Sequence, residues 1–341
     1  MSSICEGAVA QMVERSLSMR EVVRSMLISS TMSSYENIFK RDIFIYYIML
    51  LLYLIGMVSA FHIPPIAYQT VLDLAKLNIL MYEYGTSFEL QRNQSIEQFA
   101  SNYRNLNYMD TLHKRVLRYL SVRSPNGQVE KFISDTKTDL QAGIALSTTN
   151  KRITVVFRGT DSLQDWAYNV HFVKKHISDG IRVHKGFYQL LHTNHVFETL
   201  SACLHDLSEQ YPEYDIYVTG HSLGSALATI FGFEYACSSC QNVIVVSFAS
   251  PRVGNKAFRK SFDSIPNLKH YRISNARDIV TAIPFGFNYQ HVGYNIHVDD
   301  KVLRTFPNYD YLSTRYSILQ RFSIPDHDID RYYENLCNNP W

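Results

Sequence analysis

The chain lacks an excess of charge of either sign: 33 Lys and Arg stand against 31 Asp and Glu, a formal net charge of +2. That balance provides no basic stripe for nucleic acid and no acidic tail, so the overall charge names no partner. Beyond Phe61 the sequence also lacks repeats and low-complexity linkers, and methionine is absent after Met109, all nine falling at or before it. Cysteine is sparse, with five in 341 residues. Cys203, His205, Cys237 and Cys240 lack the two short ligand pairs that mark a zinc site. What is present is a hydrophobic content of 46%, enough in a chain of this length to bury one large core.

The methionine-rich N-terminal part carries an uncharged apolar run from Ile43 to Met57, preceded by Lys40 and Arg41 and followed by Val58-Ser59-Ala60. A basic flank, a short apolar core and small residues before a junction are the layout of a signal peptide, with cleavage expected before Phe61. The alternative extends the apolar stretch to Phe61, about 19 residues, the length of a membrane anchor. An ordinary buried helix would show polar positions that this run lacks. Either of the first two readings exports the domain beyond Phe61. Since 42 residues precede Ile43, Met32 is a candidate start. After cleavage Cys203, Cys237, Cys240 and Cys337 remain, an even number compatible with two disulfides in an oxidising compartment. Asn93-Gln94-Ser95 is a glycosylation sequon that fits export without proving it.

From Phe61 onward, helical and strand patterns alternate, which predicts an α/β domain over residues 61–341 with a mostly parallel sheet and crossover helices. Tyr68 to Tyr84 has apolar residues at helical spacing and stops before Gly85. Ala142–Leu146 and Ile153–Phe157 are β-prone runs joined by a polar turn, a predicted hairpin. Ile216–Thr219 reads as a buried strand and Ser225–Tyr235 as a buried helix. Asn242–Phe248 and His270–Ser274 continue the strand series, each running into a polar loop, where such sheets place their chemistry.

Between strand and helix lies Gly220-His221-Ser222-Leu223-Gly224. A G-x-S-x-G in that context is a nucleophile elbow. The sharp turn needs residues without bulk two before and two after the serine, and the chain spends two of only 14 glycines there. A serine hydroxyl is a weak nucleophile at neutral pH and needs an imidazole base held by a carboxylate. In this arrangement they follow in the order serine, acid, histidine. Asp278, in the loop after the His270–Ser274 strand, is the expected acid, ahead of Asp299 and Asp300 in a polar stretch. His291, His297 and His327 follow it. Spacing favours His327, which comes after a further element, with His291 as its rival. The oxyanion of the tetrahedral intermediate needs amide donors, one from Leu223 after the nucleophile and one from an earlier loop, for which Thr160 is the candidate.

Val156-Phe157-Arg158-Gly159-Thr160, Asp165-Trp166, Val183-His184-Lys185-Gly186-Phe187, Gly220 to Gly224, Ser250-Pro251-Arg252-Val253-Gly254-Asn255 and Asp278-Ile279-Val280 together resemble the class 3, filamentous-fungal-type lipase family. The resemblance covers roughly Tyr68 to Tyr333. It implies an α/β-hydrolase fold with Ser222 as nucleophile, Asp278 as acid and Thr160 as oxyanion residue. It also implies that His291-Val292-Gly293 is structural and that His327, before Tyr332-Tyr333, is the base. The family's lid is a short helix after the R-G-[ST] turn, to which Leu163, Trp166, Ala167 and Val170 would contribute an apolar face opposite Gln164 and Asp165. The implied activity is hydrolysis of acylglycerol esters at a lipid–water interface, with no metal, no organic cofactor, no nucleic acid and no protein partner required. Phospholipid or galactolipid acyl hydrolysis is the second reading, and a non-catalytic lipid-binding protein on the same fold the third. The implied location is extracellular, or, on the anchor reading, membrane-bound through residues 43–61 with the domain on the non-cytoplasmic side.

Overall fold

The computed structural model describes residues 66–83, 94–95, 128–135, 138–160, 173–284, 288–299, 303–306 and 323–341, all within the compact unit His62–Trp341. The signal-peptide or anchor segment, the candidate start at Met32 and the lid residues Leu163, Trp166, Ala167 and Val170 lie outside the described residues.

Among the described residues the centre is a nine-stranded sheet. Its strands are β1 (Gln94–Ser95), β2 (Gln128–Asp135), β3 (Leu140–Ser147), β4 (Arg152–Phe157), β7 (Asp215–His221), β8 (Val243–Phe248), β9 (Leu268–Asn275), β10 (Tyr294–Val298) and β11 (Leu303–Phe306), in that spatial order. From β4 through β7, β8, β9 and β10 the neighbours are parallel. The flanks β1, β2 and β3 on one side and β11 on the other are antiparallel. The expected hairpin is β3–β4, with Ile144 opposite Val155. A separate two-stranded hairpin, β5 (Lys174–Ser178) and β6 (Ile181–His184), stands off the main sheet.

The parallel strands alternate the faces to which they commit apolar side chains. One face of the sheet, through Ile153, Val155, Phe157, Ile216, Val218, Val243 and Val245, packs against four helices. These are α2 (Lys185–His192), α3 (Val196–Gln210), α4 (Leu223–Ser238) and α5 (Lys256–Ser264). The other face, through Val156, Val246, Phe248, Tyr271, Ile273, Ile296 and Val298, is covered by α1 (Tyr68–Glu83) and α6 (Ile329–Asn338). The result is a three-layer α/β sandwich. α4 is apolar nearly all round and correspondingly buried from Gly224 to Phe233. α1, expected over Tyr68 to Tyr84, ends at Glu83 and buries Val71, Leu74, Ala75 and Leu80.

Some of the strands that the sequence did not reveal have little apolar signature, although β10, with Ile296 and Val298 buried, has one. β5, Lys-Lys-His-Ile-Ser, is largely exposed. No disulfide joins Cys203, Cys237, Cys240 and Cys337, so the even cysteine count does not become the bridges expected of it. Cys203 sits mid-way along α3, Cys337 lies in α6 on the opposite face of the sheet, and Cys237 and Cys240 lie on and just beyond the exposed end of α4.

Candidate active site

Parallel neighbours end at the same edge of a sheet. β4 runs into Arg158-Gly159-Thr160, β7 into Ser222, and β9 into Ala276-Arg277-Asp278, so three residues far apart in sequence share one edge. The fourth, His327, arrives by a separate route. Its loop is sewn to the exit of β9 by a parallel bridge between Asp278 and Ser323. The Ser323 amide donates to the Arg277 carbonyl at 3.0 Å, Asn275 Nδ2 to the Asp326 carbonyl at 2.9 Å, and the Arg277 amide to Asp326 Oδ2 at 3.2 Å.

Ser222 has φ 57° and ψ −124°, a left-handed conformation that costs a non-glycine residue about 1–3 kcal/mol. The surroundings hold it there. The Ser222 amide donates to the Phe248 carbonyl at 3.0 Å. A Cβ on Gly220 would run into the Gly224 carbonyl, and one on Gly224 into the Phe157 carbonyl. Both glycines are therefore required by close backbone approach. Ser222 is buried, and its Oγ has no hydrogen-bond partner among the described residues. The structure thus does not include the hydrogen bond from Ser222 to His327, although it brings the two into one neighbourhood through His221.

Asp278 and His327 meet directly, with His327 Nδ1 at 3.0 Å from Oδ1 and 3.1 Å from Oδ2. The carboxylate is buried and otherwise satisfied, accepting from the Val280 amide at 2.9 Å and from the Tyr332 hydroxyl at 2.6 Å. Burial first, and then the neighbouring Asp278 carboxylate, push the Tyr332 hydroxyl far above its usual range, so it stays a donor. A carboxylate on Nδ1 fixes the imidazole tautomer and leaves Nε2 as the proton acceptor.

Behind the serine, His221 is fully buried, and desolvation, with His327 close by, holds its pKa well below the ordinary value. It is neutral, and its protons can be assigned. Nε2 lies 2.8 Å from the His327 carbonyl, which can only accept, so Nε2 carries the hydrogen. Nδ1 therefore accepts from the Tyr82 hydroxyl at 2.5 Å. A chain of contacts from α1 through His221, the residue before the nucleophile, thereby fixes the backbone of the histidine loop.

The remaining candidates sort by place. Leu223 begins α4, where an amide has no carbonyl one turn back to bond. Thr160 follows Gly159, whose Cβ position abuts the His221 carbonyl, putting Thr160 next to the elbow. His291, the rival base, is buried and donates from Nε2 to the Thr281 carbonyl at 2.8 Å. His297 Nδ1 pairs with Ser274 Oγ at 3.1 Å. Asp299 lies at the end of β10 and Asp300 outside the described residues. Sequence reasoning missed Tyr82, Asn275 and the role of Tyr332. Each acts over more than 50 residues, and no local pattern announces such a contact.

Residues 154–288 match the family described as Lipase (class 3). Secreted mono- and diacylglycerol lipase A of Penicillium cyclopium is 30% identical over 185 residues, covering 54% of this chain and 58% of that protein. Phospholipase A1-II 3 of Oryza sativa subsp. indica is 31% identical over 190 residues, covering 47% and 45%. The chain spans about half the length of the curated relatives it matches. The crystal structure of lipase from Rhizopus microsporus var. chinensis aligns over 76% of this chain and 85% of its own, with 27% identity and a TM-score of 0.61. Over residues 154–288 the chain is thus similar to class 3 lipases, and its α/β-hydrolase sheet carries a strained serine on the same edge as a buried Asp–His pair.

Proposed function

We propose that the chain is a serine-dependent carboxylic ester hydrolase acting on acylglycerols. The observation that carries this reading is the buried Asp278–His327 pair beside a serine held at positive φ. In this mechanism Ser222 Oγ attacks the ester carbonyl while its proton passes to His327 Nε2. Asp278, held by Tyr332 and the Val280 amide, stabilises the imidazolium. The amides of Leu223 and Thr160 receive the oxyanion. His327 returns the proton to the departing alcohol, and water, activated by the same imidazole, then releases the fatty acid. Every proton is moved by a side chain, so no metal or organic cofactor enters these steps.

The segment with Leu163, Trp166, Ala167 and Val170 serves as a lid whose apolar face moves onto the lipid surface. Export through the segment before Phe61 is supported by the signal-peptide layout and by the secreted Penicillium relative. Phospholipid acyl hydrolysis is the second reading, favoured by the rice phospholipase A1 relative, because the reaction centre is indifferent to the alcohol side of the ester.

The test is hydrolysis of short-chain esters, long-chain glycerides and phospholipids by the full-length chain and its Ser222→Ala variant. Glyceride turnover that falls about 10,000-fold or more in the variant supports the reading. A preference for phospholipid moves the substrate and keeps the mechanism. Folded wild-type protein without turnover of any ester would overturn it in favour of a lipid-binding role.

A further inference from the structure

The near-neutral net charge conceals local clusters of like charge. Residues 173–186 and 255–264 hold seven cations, Lys174, Lys175, Arg182, Lys185, Lys256, Arg259 and Lys260, against Asp179 and Asp263, and Asp263 is engaged by Arg259. Residues 196–215, α3 and the turn after it, hold five acids, Glu198, Asp206, Glu209, Glu213 and Asp215, and no Lys or Arg. All five acids are exposed, as are Lys175, Arg182, Lys185, Lys256 and Lys260.

Topology places Lys256 and the base of the hairpin at one strand edge and Glu209, Glu213 and Asp215 at the other, while Glu198 lies near Tyr188, whose ring carries Lys175. β6 joins the segment leaving the C-terminal end of β8, through the Val183–Gly254 bridge, the His184 amide on the Val253 carbonyl at 2.8 Å and the Asn255 amide on the Arg182 carbonyl at 2.9 Å. α5 then starts at Lys256 and runs back toward the start of β9. Lys256 and the hairpin therefore lie at the strand edge that carries Ser222. Asp215 opens β7 at the other edge, and Glu213 and Glu209 precede it. The hairpin lysines are propped on aromatic rings, Lys174 4.0 Å from the Tyr289 centroid and Lys175 4.4 Å from that of Tyr188. Large apolar side chains are also exposed on this edge. Val173, 53% exposed, adjoins Lys174, and Ile324, 52% exposed, adjoins the His327 loop.

We propose that the β5–β6 hairpin and the start of α5 form a docking surface for anionic lipid headgroups, which orients the Ser222 edge toward a negatively charged lipid surface. The inference rests on the lipid-ester reading of the site and names the surface on which that site works. Cations near such a surface attract it while apolar side chains beside them enter the headgroup layer. Glu209 and Glu213, toward the opposite strand edge, are repelled by the same charge, so approach is steered as well as strengthened.

The test is a triple variant, Arg182→Glu, Lys185→Glu and Lys256→Glu. Lys185 and Lys256 open helices, where glutamate complements the helix dipole, so the fold is expected to survive. Binding is measured by co-sedimentation with ether-linked vesicles, which cannot be hydrolysed, of phosphatidylcholine alone and with about 30 mol% phosphatidylserine. Wild type should prefer the anionic vesicles at least about 10-fold and lose the preference in about 0.5 M salt. The variant should bind them about 100-fold more weakly, with turnover of a dissolved short-chain ester unchanged. Equal binding to both vesicles, or a preference that survives in the variant, would overturn the inference while dissolved-ester turnover keeps the hydrolase reading intact. Anionic-vesicle preference without any ester turnover would overturn the hydrolase reading instead. Binding of wild type to heparin but not to anionic vesicles would replace lipid with a polysaccharide partner.

Discussion

The elbow around Ser222 is assembled within five residues, whereas the Asp278–His327 pair closes over 49 and leans on Tyr332, Asn275 and the Ser323 bridge. The elbow's demands are local. A serine at positive φ between a strand and a helix requires glycine on both sides: the elbow's own backbone at Gly224 leaves no room for a Cβ on Gly220, and the end of β4 closes on Gly224 from outside the elbow. The pair's demands are remote. The histidine sits on a loop whose position is set by hydrogen bonds to β9 and, through His221 and Tyr82, to α1. Chemistry that needs a special backbone can be written in a pentapeptide, but chemistry that needs two side chains to meet is written in the packing of whole elements.

Breaking the long-range half at its centre should have the largest effect. His327→Ala is expected to lower ester turnover about 10,000-fold or more, roughly 5.5 kcal/mol. His291→Ala should leave turnover of the folded fraction within about 10-fold while lowering stability through the lost Thr281 contact. Equal losses in the two variants, measured with the folded fraction fixed by circular dichroism, would reverse the assignment of the base.

Acid should separate the halves next. Burial holds His221, His270 and His291 well below the ordinary histidine value of 6.5 when folded. The unfolded chain then binds more protons than the folded one below about pH 6.5. Stability is thus complete above that value and is lost as pH falls toward the folded pKa values, by up to about 1.4 kcal/mol per pH unit for each histidine. Urea midpoints at about pH 7.5 and about pH 5.5 check this. A midpoint that holds or rises on acidification would show these imidazoles to be charged in the fold.

The local half is sharpened by Gly224→Ala, which drives a methyl group into the Phe157 and Arg158 carbonyls. It should cost about 1–3 kcal/mol of stability and depress activity in the protein that still folds. Unaltered thermal unfolding would mean that the elbow tolerates bulk. The smallest effect is expected at the support of the acid. Tyr332→Phe deletes one donor to Asp278 and should lower kcat about 10-fold, near 1.4 kcal/mol, with KM little changed. A KM change at constant kcat would assign Tyr332 to substrate binding instead.

Much of the fold and half of the site are legible in the sequence. The hairpin β3–β4, the strands β7, β8 and β9, helices α1 and α4, and the elbow between β7 and α4 all come from apolar period and glycine placement. What escaped was polar or distant. β5 has no apolar pattern, the antiparallel flanks β2 and β11 lie on either side of the recognisable core, and Cys203 and Cys337 are carried to opposite faces of the sheet by α3 and α6. Spacing favoured His327 over His291 and the family resemblance strengthened that choice, but every buried histidine looks alike until its partner is seen.

By itself the sequence determined the α/β alternation and the elbow around Ser222, and offered Asp278 as the expected acid, since apolar period and glycine placement are read over a few residues. Only the tertiary structure decided which histidine meets Asp278, which tyrosines hold Asp278 and His221, and that the cations of the β5–β6 hairpin join Lys256 beside one another. Those outcomes depend on which strand edge each loop reaches, and that is fixed by the order of strands in the sheet rather than by the residues of any one segment.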